Sequence, residues 1–198
     1  PTGAVPTVEQ IKGIAELAKK HGLIVISDEI YSHFSYGGPC PSIASFYDKT
    51  LILDGFSKSH AMTGWLLGYA AGPAPIIAEM TKLQQFSFVC APSFAQQAGL
   101  KALDVDTTPF VRSYKAKRDR LYDALKDKFD IVKPEGAFYM FPKVPWGADM
   151  EFVAKAIENN LLIIPGSVFS EKGTHFRLVY AATDETIERG IEILNRIA

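Results

Sequence analysis

The chain has 198 residues, enough for one large domain or two small ones. Its 21 basic and 22 acidic residues nearly cancel, so the overall charge favours neither nucleic acid nor an anionic membrane as a partner. No apolar run approaches the roughly 20 residues of a membrane span, and the first residues do not resemble a signal peptide. The two cysteines, Cys40 and Cys90, imply no disulfide framework and favour a reducing compartment.

The first half of the chain alternates helical and strand patterns. Thr7 and Gln10 match a capping box, and they open an apolar stripe that Gly22 is placed to end. Short apolar runs at 23–27 and 51–53 are typical of strands buried on both faces. A third short strand is predicted at 68–72, and helices at 73–86 and 94–104. This alternation predicts an α/β layer with a mostly parallel sheet.

The second half has a different order of elements. A long helix is predicted at 109–129, with Thr108 as its cap and Pro109 at its first position. After Gly136, three strand patterns and two helical patterns follow, at 137–141, 161–164 and 176–180 and at 149–160 and 184–197. We therefore expect a small α+β unit, with a domain boundary near residue 112 that divides the chain into 1–112 and 113–198.

An acidic residue and a lysine follow two of the predicted strands. Asp28 comes directly after the first strand, and Lys58 lies just beyond the second. Because ligands of open parallel sheets bind beyond the carboxyl ends of the strands, the two side chains are candidates for one crevice. A partly desolvated lysine has a lowered pKa and can form a Schiff base with a carbonyl. A buried aspartate beside it needs a cationic or hydrogen-bonding partner, which a protonated ring nitrogen would supply.

Other interpretations of these residues stay open at this point. A lysine after a strand is most often simply solvated. An apolar strand that ends in Asp28 and Glu29 also occurs in P-loop nucleotide hydrolases, although those need a glycine-rich phosphate loop that this sequence lacks. The four histidines are scattered without the spacing of metal ligands, so we predict no metal site.

Five motifs then occur in order and carry a resemblance to a known family. They are SDEIY at 27–31, GFSKSHAMTGW at 55–65, PEGAFYMFP at 134–142, IIPGSVF at 163–169 and FRLVYAA at 176–182. Together they resemble the class I/II aminotransferases, which are pyridoxal-phosphate enzymes of fold type I. The resemblance covers essentially all of this chain but only about the C-terminal half of a family member. It implies that 1–112 belong to the large cofactor-binding domain and 113–198 form the small C-terminal domain.

The resemblance also implies a role for five residues. Lys58 would form a Schiff base with pyridoxal phosphate and would then move a proton at the substrate's α-carbon. Asp28 would keep the pyridine nitrogen protonated, and Tyr31 would hydrogen-bond the ring hydroxyl oxygen. Ser57 would contact the phosphate or brace the turn. Arg177 would bind the substrate α-carboxylate, although an arginine in an alternating segment is more often an exposed sheet residue.

Two positions depart from the family pattern, and both bear on the phosphate. Leu66 stands where the family usually has a phosphate-binding arginine, and Gly55 where many members have a phosphate-binding serine. A leucine cannot neutralise a phosphate, and His60 is a candidate substitute. We therefore expect the chain by itself to hold the cofactor weakly and to turn over slowly or not at all.

The function implied is transfer of an amino group between an amino acid and a 2-oxo acid by a cytoplasmic homodimer. A carbon–sulfur β-lyase or a cyclopropane-carboxylate synthase of the same fold would use Lys58, Asp28, Tyr31 and Arg177 equally well. A third possibility is a non-catalytic, aminotransferase-like regulatory module, which the loss of the arginine at position 66 favours slightly. The sequence does not identify the substrate side chain.

Overall fold

The computed structural model describes residues 1–198 and divides them into two compact units. One unit is Val5–Thr107, and the other combines Pro1–Ala4 with Thr108–Ala198. The six helices are α1 Val8–Lys20, α2 Ala74–Ser87, α3 Ser93–Ala102, α4 Thr108–Leu125, α5 Asp149–Glu158 and α6 Asp184–Ile197. The six strands are β1 Val25–Asp28, β2 Thr50–Gly55, β3 Gly68–Ala71, β4 Tyr139–Met140, β5 Ile164–Pro165 and β6 Phe176–Val179. None of the helices combines the length and the apolar character needed to cross a bilayer.

Helix α1 begins at the predicted capping box. The Thr7 hydroxyl accepts from the Gln10 backbone N–H, and the Gln10 side chain accepts from the Thr7 N–H. These two bonds satisfy donors that a helix start would otherwise leave unpaired. One face of α1 is buried in a cluster with the segment between β1 and β2, and the cluster consists of Ile11, Ala15, Ala18, Ile43 and Tyr47.

The sheet of the first unit has the order β1-β2-β3. Strands β1 and β2 are parallel, as the sequence predicts, with Asp28 opposite Leu53. Strand β3 is antiparallel to β2, with Gly55 opposite Gly68. A parallel third strand would need a crossover of a dozen or more residues, usually a helix, whereas the segment between β2 and β3 folds into tight turns.

The apolar run that contains β1 predicts a strand buried on both faces, and this prediction is wrong for β1. Leu23, Ile24 and Ile26 are 54%, 60% and 66% exposed, whereas Val25 packs against the α1 cluster. The residues alternate along the strand, so one face is covered by this unit and the face that carries Ile26 and Asp28 is open.

The second unit contains an antiparallel sheet of order β4-β6-β5. Its strands are shorter than the predicted ones, and β4 and β5 have two residues each. Beside the sheet lies a cluster of aromatic rings from Phe129, Phe152, Phe176 and Trp146. Residues Phe152 and Phe176 are fully buried, which identifies this cluster as the centre of the unit's core.

The first four residues of the chain pack with the second unit. The Gly3 carbonyl accepts from the backbone N–H groups of Glu135 and Gly136, both at 2.9 Å. Gly3 has φ +69°, and a Cβ there would lie 2.6 Å from Pro134 Cβ and 2.8 Å from the Gly136 oxygen. Only glycine fits this turn without strain.

Candidate active site

The carboxylate of Asp28 stands at the edge of the parallel strand pair. Asp28 is the last residue of β1 and lies opposite Leu53 of β2, and the pairing continues with a 2.8 Å bond from the Glu29 N–H to the Leu53 oxygen. One carboxylate oxygen of Asp28 accepts from the Ile30 N–H at 3.2 Å. Asp28 is exposed and forms no salt bridge, so its carboxylate is available to a cationic ligand.

The neighbouring acid, Glu29, is already occupied. Its Oε1 accepts from the hydroxyl of Ser27 at 3.0 Å and from the hydroxyl of Ser42 at 2.6 Å. The Ser42 bond ties the end of β1 to a segment that is distant in sequence. Of the acidic pair, Glu29 therefore braces the strand end and Asp28 can bind a ligand.

The turn that carries the lysine is fixed by Phe56. The Phe56 N–H donates to the Leu67 carbonyl at 3.2 Å, and the Phe56 carbonyl accepts from His60 N–H at 3.1 Å and Met62 N–H at 3.3 Å. The Phe56 ring is buried in a cluster with Met62, Leu67 and Ala102. A buried aromatic ring and three backbone bonds thus hold the first residue of the turn.

Lys58 lies two residues later in the same turn. Its neighbour Ser59 is buried, and the Ser59 hydroxyl lies 3.3 Å from the Gly55 oxygen and 2.8 Å from His60 Nδ1. Lys58 and Ser57 are half-buried, and Lys58 forms no salt bridge. The structure therefore places an unpaired amine on a rigid turn that directly follows β2.

Two further features of this region bear on the phosphate-binding positions. A Cβ at Gly55 would lie 2.9 Å from both the Gly68 Cα and the Leu67 oxygen, so β3 leaves no room for a serine side chain there. Leu66 has left-handed backbone angles, φ 49° and ψ 42°, and is 85% exposed. Gly55 is thus explained by the close approach of β2 and β3, whereas nothing in this chain packs around the Leu66 side chain.

Tyr31 follows the Asp28 strand end at the start of the short 3₁₀ turn Ser32–Phe34. Its carbonyl accepts from the Phe34 N–H at 2.9 Å, and its side chain is half-buried. Phe34 is 2% exposed and anchors the turn. The unit Val5–Thr107 contains four of the five predicted site residues: Asp28, Tyr31, Ser57 and Lys58.

Arg177, the fifth predicted site residue, lies on β6 of the other unit. Its guanidinium carbon is 4.7 Å from the centre of the Tyr139 ring and 4.6 Å from the centre of the Phe169 ring. Its Nε is buried without a hydrogen-bond partner, and the side chain forms no salt bridge. A half-buried guanidinium without an anionic partner is suited to an anionic ligand.

The sequence did not single out Tyr139 and Phe169, although both lie in motifs that carry the resemblance. In the motif PEGAFYMFP the structure buries Phe138 and Met140. Tyr139 and Phe141 are only half-buried. The signal that could have identified Tyr139 is its position on the opposite face of the strand from those two core residues.

Comparison with known proteins decides the family. The model of the family described as aminotransferase class I and II matches residues 1–194. The chain belongs to this family. It is 41% identical over 208 residues to a probable aspartate aminotransferase of Methanocaldococcus jannaschii, covering 100% of this chain and 56% of that protein. It is 38% identical to a probable N-acetyl-LL-diaminopimelate aminotransferase of Bacillus subtilis, covering 98% of this chain and 52% of that protein.

Solved aminotransferase structures have the same fold. The aspartate aminotransferase of Thermotoga maritima superposes with a TM-score of 0.94 at 35% identity, covering 99% of this chain and 53% of that one. The aromatic aminotransferase of Pyrococcus horikoshii also gives 0.94 at 35% identity, covering 100% of this chain and 57% of that one. This aminotransferase-family chain has α/β content and spans about half the length of the relatives it matches.

The residues of this family member fit part of pyridoxal phosphate, the cofactor that the family implies. An unpaired carboxylate at Asp28 suits a protonated ring nitrogen, and an unpaired amine at Lys58 suits an aldehyde. The phosphate end fits less well, because position 66 offers a leucine and Gly55 has no hydroxyl.

Proposed function

We propose that the protein that contains this chain is a pyridoxal-phosphate-dependent aminotransferase, which moves an amino group between an amino acid and a 2-oxo acid. The observation that carries the proposal is the pairing of β1 and β2. It brings the strand that ends at Asp28 beside the strand that leads to Lys58, and neither side chain has an ionic partner. The M. jannaschii and B. subtilis relatives, both named as aminotransferases, support the same activity.

Pyridoxal phosphate, when bound, supplies a carbonyl that reacts with amines and a ring that accepts electrons. Lys58 would hold the cofactor through its amine, and that amine would later carry the proton from the substrate α-carbon to the cofactor carbon that had borne the carbonyl. The turn at Phe56 and Ser59 restricts where the Lys58 side chain can reach, and such positioning lowers the entropy cost of proton transfer.

Asp28 and Tyr31 would hold the ring of the cofactor. The Asp28 carboxylate would keep a proton on the ring nitrogen, because a negative charge nearby favours the protonated form of a base. The Tyr31 hydroxyl would donate to the ring oxygen. Glu29, already bonded to Ser27 and Ser42, would keep the strand end in place while Asp28 interacts with the ring.

Ser57 and Arg177 would each bind an anionic group. Ser57 would donate to the phosphate from the lysine turn, and Arg177 would bind the carboxylate of the substrate. Because Leu66 contributes no charge, we expect the phosphate to be held less firmly than an arginine at that position would hold it.

We also propose that the whole protein is a homodimer, with residues 1–112 in its large domain and 113–198 in its small domain. Five large apolar side chains of the first unit are at least 67% exposed: Leu83, Phe86, Phe88, Val89 and Phe94. An exposed apolar patch of this kind indicates an interaction surface, and a second copy is the occupant we propose. The cytoplasmic location that the resemblance implies stays a prediction.

The activity is tested on the whole protein with pyridoxal phosphate, a ¹⁵N-labelled amino acid and a 2-oxo acid acceptor. The proposal predicts that the label appears in the amino acid made from the acceptor, and that Lys58→Ala abolishes this transfer. Lys49→Ala is the matched control, because Lys49 is an exposed lysine directly before β2, at the opposite end from Lys58, and its loss should leave the rate unchanged.

The products distinguish the alternatives of the same fold. A β-lyase would release ammonia and a 2-oxo acid without an acceptor, and this result would replace the aminotransferase proposal. An absence of both reactions in a protein that binds the cofactor would favour a non-catalytic module.

A further inference from the structure

The surroundings of Arg177 indicate more than a free guanidinium. The two rings that contact Arg177 come from the two sides of β6. One lies on a strand that pairs with β6, and the other follows the second strand that pairs with β6. Tyr139 belongs to β4, which pairs with β6 through Tyr139 opposite Val179. Phe169 comes from the 3₁₀ turn after β5, and Ile164 of β5 lies opposite Arg177 itself. The sheet therefore brings the two rings to the arginine from its two neighbouring strands.

Gly166 sets the position of Phe169. The Gly166 N–H donates to the His175 oxygen at 2.7 Å, and the Gly166 oxygen accepts from the Phe169 N–H at 2.8 Å. A Cβ at position 166 would lie 2.5 Å from the His175 oxygen, so only glycine allows this approach. The turn after β5 is thereby held close against β6, with the Phe169 ring over the Arg177 guanidinium.

A second layer of rings supports Phe169. The Phe141 ring meets Phe169 at 6.0 Å in an edge-to-face arrangement and stacks on His175 at 5.1 Å with an interplanar angle of 7°. Offset-stacked and edge-to-face pairs are the arrangements that aromatic rings prefer. Phe169 is therefore packed from behind and cannot easily turn away from the arginine.

Resting on the proposed function, we propose that Tyr139 and Phe169 are positioning residues that make Arg177 selective for a planar carboxylate over a tetrahedral anion. The two rings occupy directions from which a ligand could approach the guanidinium carbon, and the Nε–H has no hydrogen-bond partner in this chain. A carboxylate places both oxygens in the guanidinium plane, where two parallel N–H···O bonds form. A phosphonate places a third oxygen out of that plane, toward ring faces that carry partial negative charge.

The test follows the Arg177 Nε–H resonance by NMR in the 198-residue chain with isotopically labelled arginine, and Arg177→Lys identifies the signal by its loss. The probes are propionate and ethylphosphonate, added separately. We expect propionate to bind more tightly in the unaltered chain. Phe169→Leu and Tyr139→Leu should each weaken propionate binding about two- to fivefold, the equivalent of one exposed cation–π contact.

The ratio of the two dissociation constants is the decisive readout, because a general loss of structure would weaken both anions alike. The ratio should fall in each ring variant and be retained in Tyr139→Phe. Phe169 is 38% exposed, so Phe169→Leu is expected to fold even if Tyr139→Leu does not. Tyr122→Leu is the matched control, since the Tyr122 ring lies 5.1 Å from the Lys133 amine in the same unit and does not contact Arg177.

The outcomes separate this inference from the proposed function. Propionate binding at Arg177 with the same ratio in all variants would overturn the positioning role and leave the aminotransferase proposal intact. If propionate does not shift the Arg177 resonance, both the inference and the proposed carboxylate-binding role of Arg177 are wrong. Failure of amino transfer in the whole protein would contradict the proposed function, whatever the NMR titration shows.

Discussion

Replacing Gly55 by alanine should disturb the strand pair that leads to Lys58. The added Cβ would lie 2.9 Å from the Gly68 Cα and from the Leu67 oxygen, whereas ordinary contacts begin at 3.4 Å. Strands β2 and β3 would have to separate by about 0.5 Å at this point. Both atoms belong to the backbone, so no flexible side chain can move aside to relieve the clash.

The magnitude follows from two opposing effects. Overpacking of this kind costs about 1–3 kcal/mol. The lower backbone entropy of alanine in the unfolded chain returns about 0.4–1 kcal/mol. We therefore expect Gly55→Ala to lower the free energy of unfolding by about 1–2 kcal/mol, which corresponds to a fall in Tm of roughly 2–8 °C for a chain of this size.

The assay is urea unfolding followed by circular dichroism, with Gly13→Ala as the matched control. Gly13 lies within α1, and a Cβ there would meet nothing within 4 Å. Because alanine is the better helix former, Gly13→Ala should raise the free energy of unfolding by about 0.8–1 kcal/mol. If Gly55→Ala were as stable as the unaltered chain, the close approach of β2 and β3 would not explain the absence of a serine at this position.

Two further predictions concern charge. Burial opposes the ionisation of Asp119, but hydrogen bonds from Lys133 and Lys115 and the charge of Arg118 outweigh it and lower its pKa from 3.8 to about 2. This stabilisation is fully present above pH 3.8 and is lost as the pH falls through the folded pKa of about 2. Because the side chain is 30% exposed, Asp119→Asn should cost about 1–2 kcal/mol at pH 7 and almost nothing once the pH is well below the folded pKa of about 2. An equal difference at both ends of an acid unfolding series would contradict the assignment. Leu66→Arg adds a charge at an 85% exposed side chain, so it should leave stability unchanged and tighten pyridoxal phosphate binding about 10- to 100-fold in an absorbance titration. An unchanged affinity would mean that another cation binds the phosphate.

The helices of this chain could be predicted well from the sequence because their signals are local. The capping box of Thr7 and Gln10, the apolar stripe of α1 and the Pro109 start of α4 each lie within a few residues of the element they define. The order of helices and strands along the chain also agrees with the prediction. Local patterns also placed Asp28 and Lys58 after two strands, and the register of β1 and β2 confirms that those strands are neighbours.

Long-range contacts were the part that sequence patterns could not reveal. The antiparallel direction of β3 depends on how the segment from Phe56 to Leu67 folds back, and the placement of Gly3 depends on Glu135 and Gly136, more than 130 residues away. The aromatic contacts of Arg177 on β6 likewise come from two other elements, β4 and the turn after β5. An apolar run also cannot reveal whether its cover belongs to the same chain, which is why β1 is open on one face here.

Trapping the cofactor on the chain tests the central claim most directly. The protein is mixed with pyridoxal phosphate and reduced with borohydride, and the modified lysines are mapped by mass spectrometry. We expect the label mainly on Lys58, with little on the exposed Lys49. Labelling spread evenly over the surface lysines, in this chain and in the whole protein, would contradict the assignment of Lys58 as the residue that holds the cofactor.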